Sequence, residues 1–188
     1  MNGYLANPLE FVITTLFQLY ITVVMVRFLL QWVRADFYNP VSQFVVKISN
    51  PLLKPLRRVI PGWGGLDVAA IVLMIALQVV SLLLVLLLRG HGIPLVSLLF
   101  WSIAELVSLA FNVYIFAIII QAVLSWVNPG HYNPVSSILY SLTEPLLRPA
   151  RRLLPPISGF DLSPLLVLLV LQVLKMLVLP PLMHLATG

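Results

Sequence analysis

The chain has 188 residues, of which 61% are hydrophobic and only 9% charged, and a mean hydropathy of +1.05, so it is too apolar to hide its excess inside a water-soluble domain of that size. The bilayer is the natural solvent for such a chain. The lack of cysteine excludes disulfides, thiolate metal sites, iron–sulfur clusters and a cysteine nucleophile, and the net charge of +5, gathered in two stretches, points to membrane orientation before nucleic-acid binding.

Residues 1–10 carry no Lys or Arg, and the apolar stretch after them is too long for a signal-peptide core, so it reads as a retained first span over residues 11–33. Only Arg27 interrupts it, near the far end, where it can snorkel to the interface. Residues 34–67 are polar. There Asn39-Pro40 is a helix start, with Asn as the cap and Pro at the first helical position. Val41, Phe44, Val45 and Ile48 follow at the spacing of one helical face, with Ser42, Gln43, Lys47 and Ser49 mostly on others. This predicts a short amphipathic helix lying in the interface, apolar side down. Asn50-Pro51 reads as a break and restart, and Pro55 predicts a kink or two short turns. Lys54, Arg57 and Arg58 come next. Asp67 marks the re-entry, with two readings open: cap of the next span, or partner of a loop arginine.

The second span, residues 68–88, has no charge and carries Gln78 near its middle. The turn Arg89-Gly90-His91-Gly92 leads to a third apolar stretch, residues 93–127, longer than the roughly 20 residues needed to cross. Its span is assigned to residues 105–127, the excess being tilt or an interfacial turn. Glu105 lies inside the stretch, and Ser108, Asn112, Gln121 and Ser125 give it one partly polar side. A second polar loop, residues 128–161, repeats the amphipathic pattern with Val135, Ile138, Leu139 and Leu142. The fourth span, residues 162–183, contains Gln172 and Lys175.

A shift of 94 residues matches the chain to itself without a gap. Tyr38-Asn39-Pro40-Val41-Ser42 meets Tyr132-Asn133-Pro134-Val135-Ser136, Pro51-Leu52-Leu53-Lys54-Pro55 meets Pro145-Leu146-Leu147-Arg148-Pro149, Arg57-Arg58 meets Arg151-Arg152, Pro61 meets Pro155, Asp67 meets Asp161 and Gln78 meets Gln172. Polar residues, prolines and arginine pairs in one register are not a by-product of shared hydrophobicity. The expected architecture is an all-α integral membrane protein with four transmembrane helices, arranged as two parallel helix–amphipathic loop–helix repeats over residues 1–92 and 93–188 and related by a pseudo-two-fold along the membrane normal. Eight of the eleven Lys and Arg sit in the two loops, so the loops are expected on the cytoplasmic side and both termini outside.

Two sets of residues are candidates for function. Arg57, Arg58, Arg151 and Arg152, with Lys54 and Arg148, suit anionic lipid headgroups at about 1 kcal/mol per basic residue, or a partner's face; the same charges also serve simply to fix topology. The intramembrane polar set is Gln78, Gln172, Lys175, Glu105 and Arg27. The glutamines either bond between helices or line a pathway. A Glu105–Lys175 pair and plain snorkelling are alternatives for those two charges. His91, His131 and His184 have no ligand-like spacing, and no Gly-rich phosphate loop or carboxylate cluster appears, so no catalytic residue, metal or cofactor is assigned. The expected partners are anionic lipids, a membrane protein or further copies of the chain, and not nucleic acid.

Asp36-Phe37-Tyr38-Asn39-Pro40-Val41-Ser42-Gln43-Phe44 with Pro51-Leu52-Leu53-Lys54-Pro55-Leu56-Arg57-Arg58-Val59-Ile60-Pro61 closely resembles the YggT family, and so does Asn133-Pro134-Val135-Ser136 with Glu144-Pro145-Leu146-Leu147-Arg148-Pro149-Ala150-Arg151-Arg152. The likeness covers essentially the whole chain in a two-copy bacterial form. It implies an inner-membrane protein linked to osmotic-stress tolerance and potassium-related ion homeostasis. The related YlmG branch is linked to cell division and nucleoid distribution, and a plastid relative to haem attachment on a b-type cytochrome. No catalytic residue carries over. The resulting expectation is a non-enzymatic scaffold or assembly factor; the alternative is an oligomeric ion channel or transporter component built on Gln78, Gln172 and Lys175. The second copy departs at Gly130-His131, where the first has Asp36-Phe37.

Overall fold

The computed structural model describes residues 3–90, 94–127, 133–154 and 161–187. His91, Gly130, His131 and Pro155 lie outside the described residues. Among these residues six helices follow in order: α1 (Gly3–Trp32), α2 (Pro40–Val59), α3 (Val68–Arg89), α4 (Leu95–Val127), α5 (Pro134–Leu153) and α6 (Ser163–Thr187). Four are long and apolar enough to cross a membrane, over Asn7–Trp32, Val68–Arg89, Leu95–Ser125 and Ser163–Ala186. The third differs from expectation. α4 runs unbroken from Leu95 as one helix of 33 residues, about 50 Å at the usual rise, so it outreaches a hydrocarbon core of about 30 Å.

The loops also differ. Neither the Pro51 and Pro55 positions nor their mates Pro145 and Pro149 break the chain; α2 and α5 each run as a single helix of 20 residues through both prolines. All four prolines lie on the exposed side of their helices, so their rings stay clear of the core. The expected starts hold: Asn39 and Asn133 each cap their helix, their side-chain oxygens accepting from the N–H of Val41 and Val135 at 2.9 Å.

Within each repeat the two spans pack closely, α1 on α3 and α4 on α6, and the loop helix lies across their common end. Both loop helices sit at the same end of the bundle and touch one another, as parallel repeats require; the Asn39 amide donates to the Pro134 carbonyl at 2.8 Å. The relation between repeats is not the expected pseudo-two-fold. Such an axis would match every α3–α4 contact with an α6–α1 contact. Among the described residues α3 packs on α4 but α6 does not touch α1, and α1 touches α5 without α4 touching α2. The interface therefore joins unlike faces, the heterologous type. The main core follows from this, with Ile21, Val24, Met25 and Leu29 of α1 and Leu73 and Met74 of α3 closed over by Leu106, Leu109 and Ala117 of α4.

Candidate functional site

The loop helix is clamped to its span by a polar pair placed alike in both repeats. The Arg27 guanidinium, on the last turns of α1, donates to the Ser49 hydroxyl at 2.7 Å and to the Asn50 side-chain oxygen at 2.9 Å. Ninety-four residues on, the Thr143 hydroxyl donates to the Gln121 amide oxygen. The α2 face turned to the bundle is Ser42, Val45, Ser49 and Leu53, while Phe44 is exposed and Val41 and Ile48 are half-buried. The predicted apolar stripe is thus displaced. Two serines lie on that face, Ser49 bonded to Arg27 of α1, and the Phe44 side is left exposed. In α5 the stripe does face inward, because Ile138 and Leu142 meet the first repeat.

The two readings of Asp67 hold together. Its carboxylate caps α3, accepting from the Ala70 N–H at 3.3 Å, and pairs with Arg57. A tight turn brings it there. Gly64 and Gly65, at φ 60° and 84°, let Trp63 and Leu66 exchange backbone hydrogen bonds of 3.2 and 2.9 Å, conformations only glycine adopts freely. In the second repeat Arg151 donates to Asp161 at 2.9 Å and to Glu144 at 2.6 Å. The first arginine of each pair is therefore engaged within the chain. Arg58, Arg152, Lys54 and Arg148 are exposed and have no ion-pair partner among the described residues.

Burial alone would raise the Asp161 carboxyl, but hydrogen bonds from Ser163 and Arg151 outweigh it and hold the group below the ordinary aspartate range. A depressed carboxyl contributes stability that is present above its unfolded pKa and lost as pH falls through its folded one. Melting curves in detergent should accordingly show Asp161→Asn less stable than the parent at neutral pH, with the gap closing below the ordinary aspartate range. A gap independent of pH would contradict this.

Beside the clamp lies a cavity of about 300 Å³, between the end of α1, the segment after it and the first turns of α2. Arg27, Arg34 and Arg57 line it, with Gln31, Ser42 and Phe37. Of the three guanidiniums, Arg57 pairs with Asp67 and also reaches the Gln31 side-chain oxygen at 3.3 Å, while Arg27 and Arg34 have no ion-pair partner among the described residues. The Ser42 hydroxyl is buried without a hydrogen-bond partner among the described residues, a state that a bound acceptor would relieve. Arg34 has φ 55°. It occupies the left-handed position of a helix-ending motif in which the Ala35 N–H returns to the Leu30 carbonyl at 2.9 Å and the Arg34 N–H to Gln31 at 3.1 Å. Glycine is usual there; a side chain costs roughly 1 kcal/mol. Such a cost, borne by a residue lining a cavity, is a mark of function. In the second repeat Gln121 stands where the first has Arg27, and the positions matching Arg34 and Phe37 lie outside the described residues.

Among the other sequence candidates, Gln78 is buried but its mate Gln172 is exposed. Lys175 donates to the Asn112 side-chain oxygen at 2.7 Å, not to Glu105, which has no ion pair among the described residues. Glu105 lies two turns along α4 from Asn112, about 10 Å away and beyond the lysine's reach. At the end of the bundle opposite the loops, Arg89 pairs with Glu10 at 2.8 Å. No cluster suited to a metal ion occurs among the described residues. The sequence reading had Arg27 and Arg57 as separate candidates and did not single out Arg34, Gln31 or Ser42; an arginine directly after a helix, where glycine is expected, was the signal available.

The family model described as CCB3/YggT matches the chain twice, over residues 6–88 and 100–182. An uncharacterized protein of Pseudomonas aeruginosa is 50% identical over 170 residues, covering 89% of this chain and 86% of that protein. The protein printed as YggT of Escherichia coli K12 is 38% identical over 182 residues, covering 90% and 88% respectively. No solved structure matches.

Proposed function

The chain belongs to the CCB3/YggT family, and from that premise we propose that it is a non-enzymatic membrane scaffold whose first repeat docks a phosphate-type anionic headgroup in the cavity of Arg27, Arg34 and Arg57. The observation that carries this is three arginines converging on one cavity, of which only Arg57 has an ion-pair partner among the described residues, and an orphaned serine hydroxyl at its wall. Guanidiniums match phosphate by paired, charge-assisted hydrogen bonds. Trp32, Tyr38 and Trp63, all exposed at the loop end, suit the headgroup level of a bilayer. The free basic residues Lys54, Arg58, Arg148 and Arg152 then face the same anionic surface or a partner seated on it. In this reading the loop face is cytoplasmic, the termini are periplasmic, the membrane is the bacterial inner membrane, and the scaffold serves osmotic-stress tolerance and ion homeostasis.

The test is lipid retention. The protein is reconstituted in mixed phosphatidylcholine and phosphatidylglycerol, extracted mildly, and its bound lipid quantified. Enrichment of the anionic lipid over the bulk ratio is expected; equal ratios would refute the docking site. Arg34→Gly should lower that enrichment about fivefold, the loss of one basic contact, while raising stability by about 1 kcal/mol through relief of the left-handed backbone. A parallel sample with excess inorganic phosphate separates a headgroup from a free anion: stripping of the lipid assigns the site to the free ion.

A further inference from the structure

The chain contains one interface between repeats, and because that interface is heterologous, both of its faces recur unused. α4 turns Leu106, Leu109 and Val113 toward the first repeat. Their mates 94 residues earlier on α1 are Val12, Thr15 and Leu19, and Leu19 is 61% exposed. α3 carries Ile75, Gln78 and Leu82, all buried or half-buried; their mates on α6 are Leu169, Gln172 and Met176, with Leu169 61% and Met176 64% exposed. The loop helices agree: Ile138 and Leu142 of α5 are buried, whereas Phe44 of α2 is exposed and Ile48 half-buried. From this we infer that a second copy of the chain sets its α1 and α2 against α6 and α5 of the first, repeating between chains the contact that α4 makes with α3 within one.

Polar residues on the two faces support the same occupant independently of shape. Thr14, Thr15, Gln18 and Thr22 line a shallow groove on α1 within its membrane span, and Gln172 opens onto a groove of about 570 Å³ on α6 with Lys175 and Met176. The Thr14 and Thr22 hydroxyls donate to carbonyls of their own helix, but lipid tails offer the amides of Gln18 and Gln172 no hydrogen bond, so these two suit a helix partner better than a lipid-facing surface. Gln78 is the precedent, the equivalent glutamine of the first repeat being buried inside the bundle. Contacts of this type add copies head to tail and close into a ring when the rotation allows. The inference does not rest on the headgroup site.

Cysteine crosslinking in membranes tests it, because the chain has no cysteine of its own. Leu19→Cys and Leu169→Cys replace exposed side chains, and α1 does not touch α6 within a chain, so any product joins two copies. Oxidising membranes that hold a mixture of the two single variants should give a dimer, each single variant alone should stay monomeric, and the double variant should give larger multimers. The pairing is scanned over positions 12, 16, 19 and 23 against 165, 169, 172 and 176. Dimers from either variant alone would reveal a two-fold contact and overturn the inference; monomers throughout the scan would do the same.

Discussion

Replacing Asp67 with alanine is expected to be the most destabilising single change in either loop, at about 2 kcal/mol, read from thermal unfolding in detergent by circular dichroism. Two effects add. The α3 cap is lost, and caps of this kind are worth roughly 1 kcal/mol. Arg57 also loses its counter-ion. The Asp67 side chain is 3% exposed, but that of Arg57 is 37% exposed and can recover water, so the loss stays well short of the 3–5 kcal/mol typical of a fully buried pair. Asp161→Ala should cost less, because Asp161 is 35% exposed and Glu144 remains to hold Arg151. Asp67→Asn keeps an acceptor for the cap and should fall between. Anionic lipid retention should move the other way in Asp67→Ala, since the released guanidinium adds charge to the cavity. Equal losses for the two aspartates, or retention falling with stability, would contradict this account.

Arg27→Gln should lower retention of anionic lipid by about tenfold to a hundredfold, the equivalent of one or two charge-assisted hydrogen bonds. The substitution gives the first repeat the residue the second already has, since Gln121 occupies the matching position and bonds Thr143. The clamp on Ser49 can thus survive while the charge does not. Arg27→Lys should recover part of the binding, because an ammonium keeps the charge but not the planar fork. Retention unchanged in Arg27→Gln would remove the arginine cluster as the headgroup's site.

Spans, caps and duplication were legible in the sequence because each depends on local chemistry: apolar runs, an Asn-Pro start, a carboxylate before a helix. The prolines misled because a proline's cost depends on its place in the fold, and Pro51 and Pro55 lie on the exposed side of α2, a tertiary fact. The stripe on α2 was misplaced for a related reason. Periodicity marks which side is apolar, but α2 has both an apolar side and a small-residue side, and the side with Ser42 and Ser49 is the one turned to the bundle.

The site was half legible. Arg27 and Arg57 stood out as charges in unusual places, yet they lie 30 residues apart in sequence, and only the fold of α2 back across α1 brings them to one cavity. The pairing of Lys175 with Asn112 in place of Glu105 was likewise hidden, since it depends on how far α6 slides along α4. The repeat itself concealed the departure from two-fold symmetry. Equal sequences suggest equal surroundings, whereas the fold sets one copy's back against the other copy's front.

Asn39 illustrates what that departure does to the duplicated units. Its oxygen starts α2 while its nitrogen holds Pro134, whereas Asn133 is exposed and its side chain, among the described residues, starts its own helix. Twin asparagines have thereby taken up different occupations, one also binding the halves together and one serving its own helix. Exchanging the order of the halves would leave every local rule of the chain satisfied and still separate this asparagine from its anchor, so the two halves are no longer interchangeable parts.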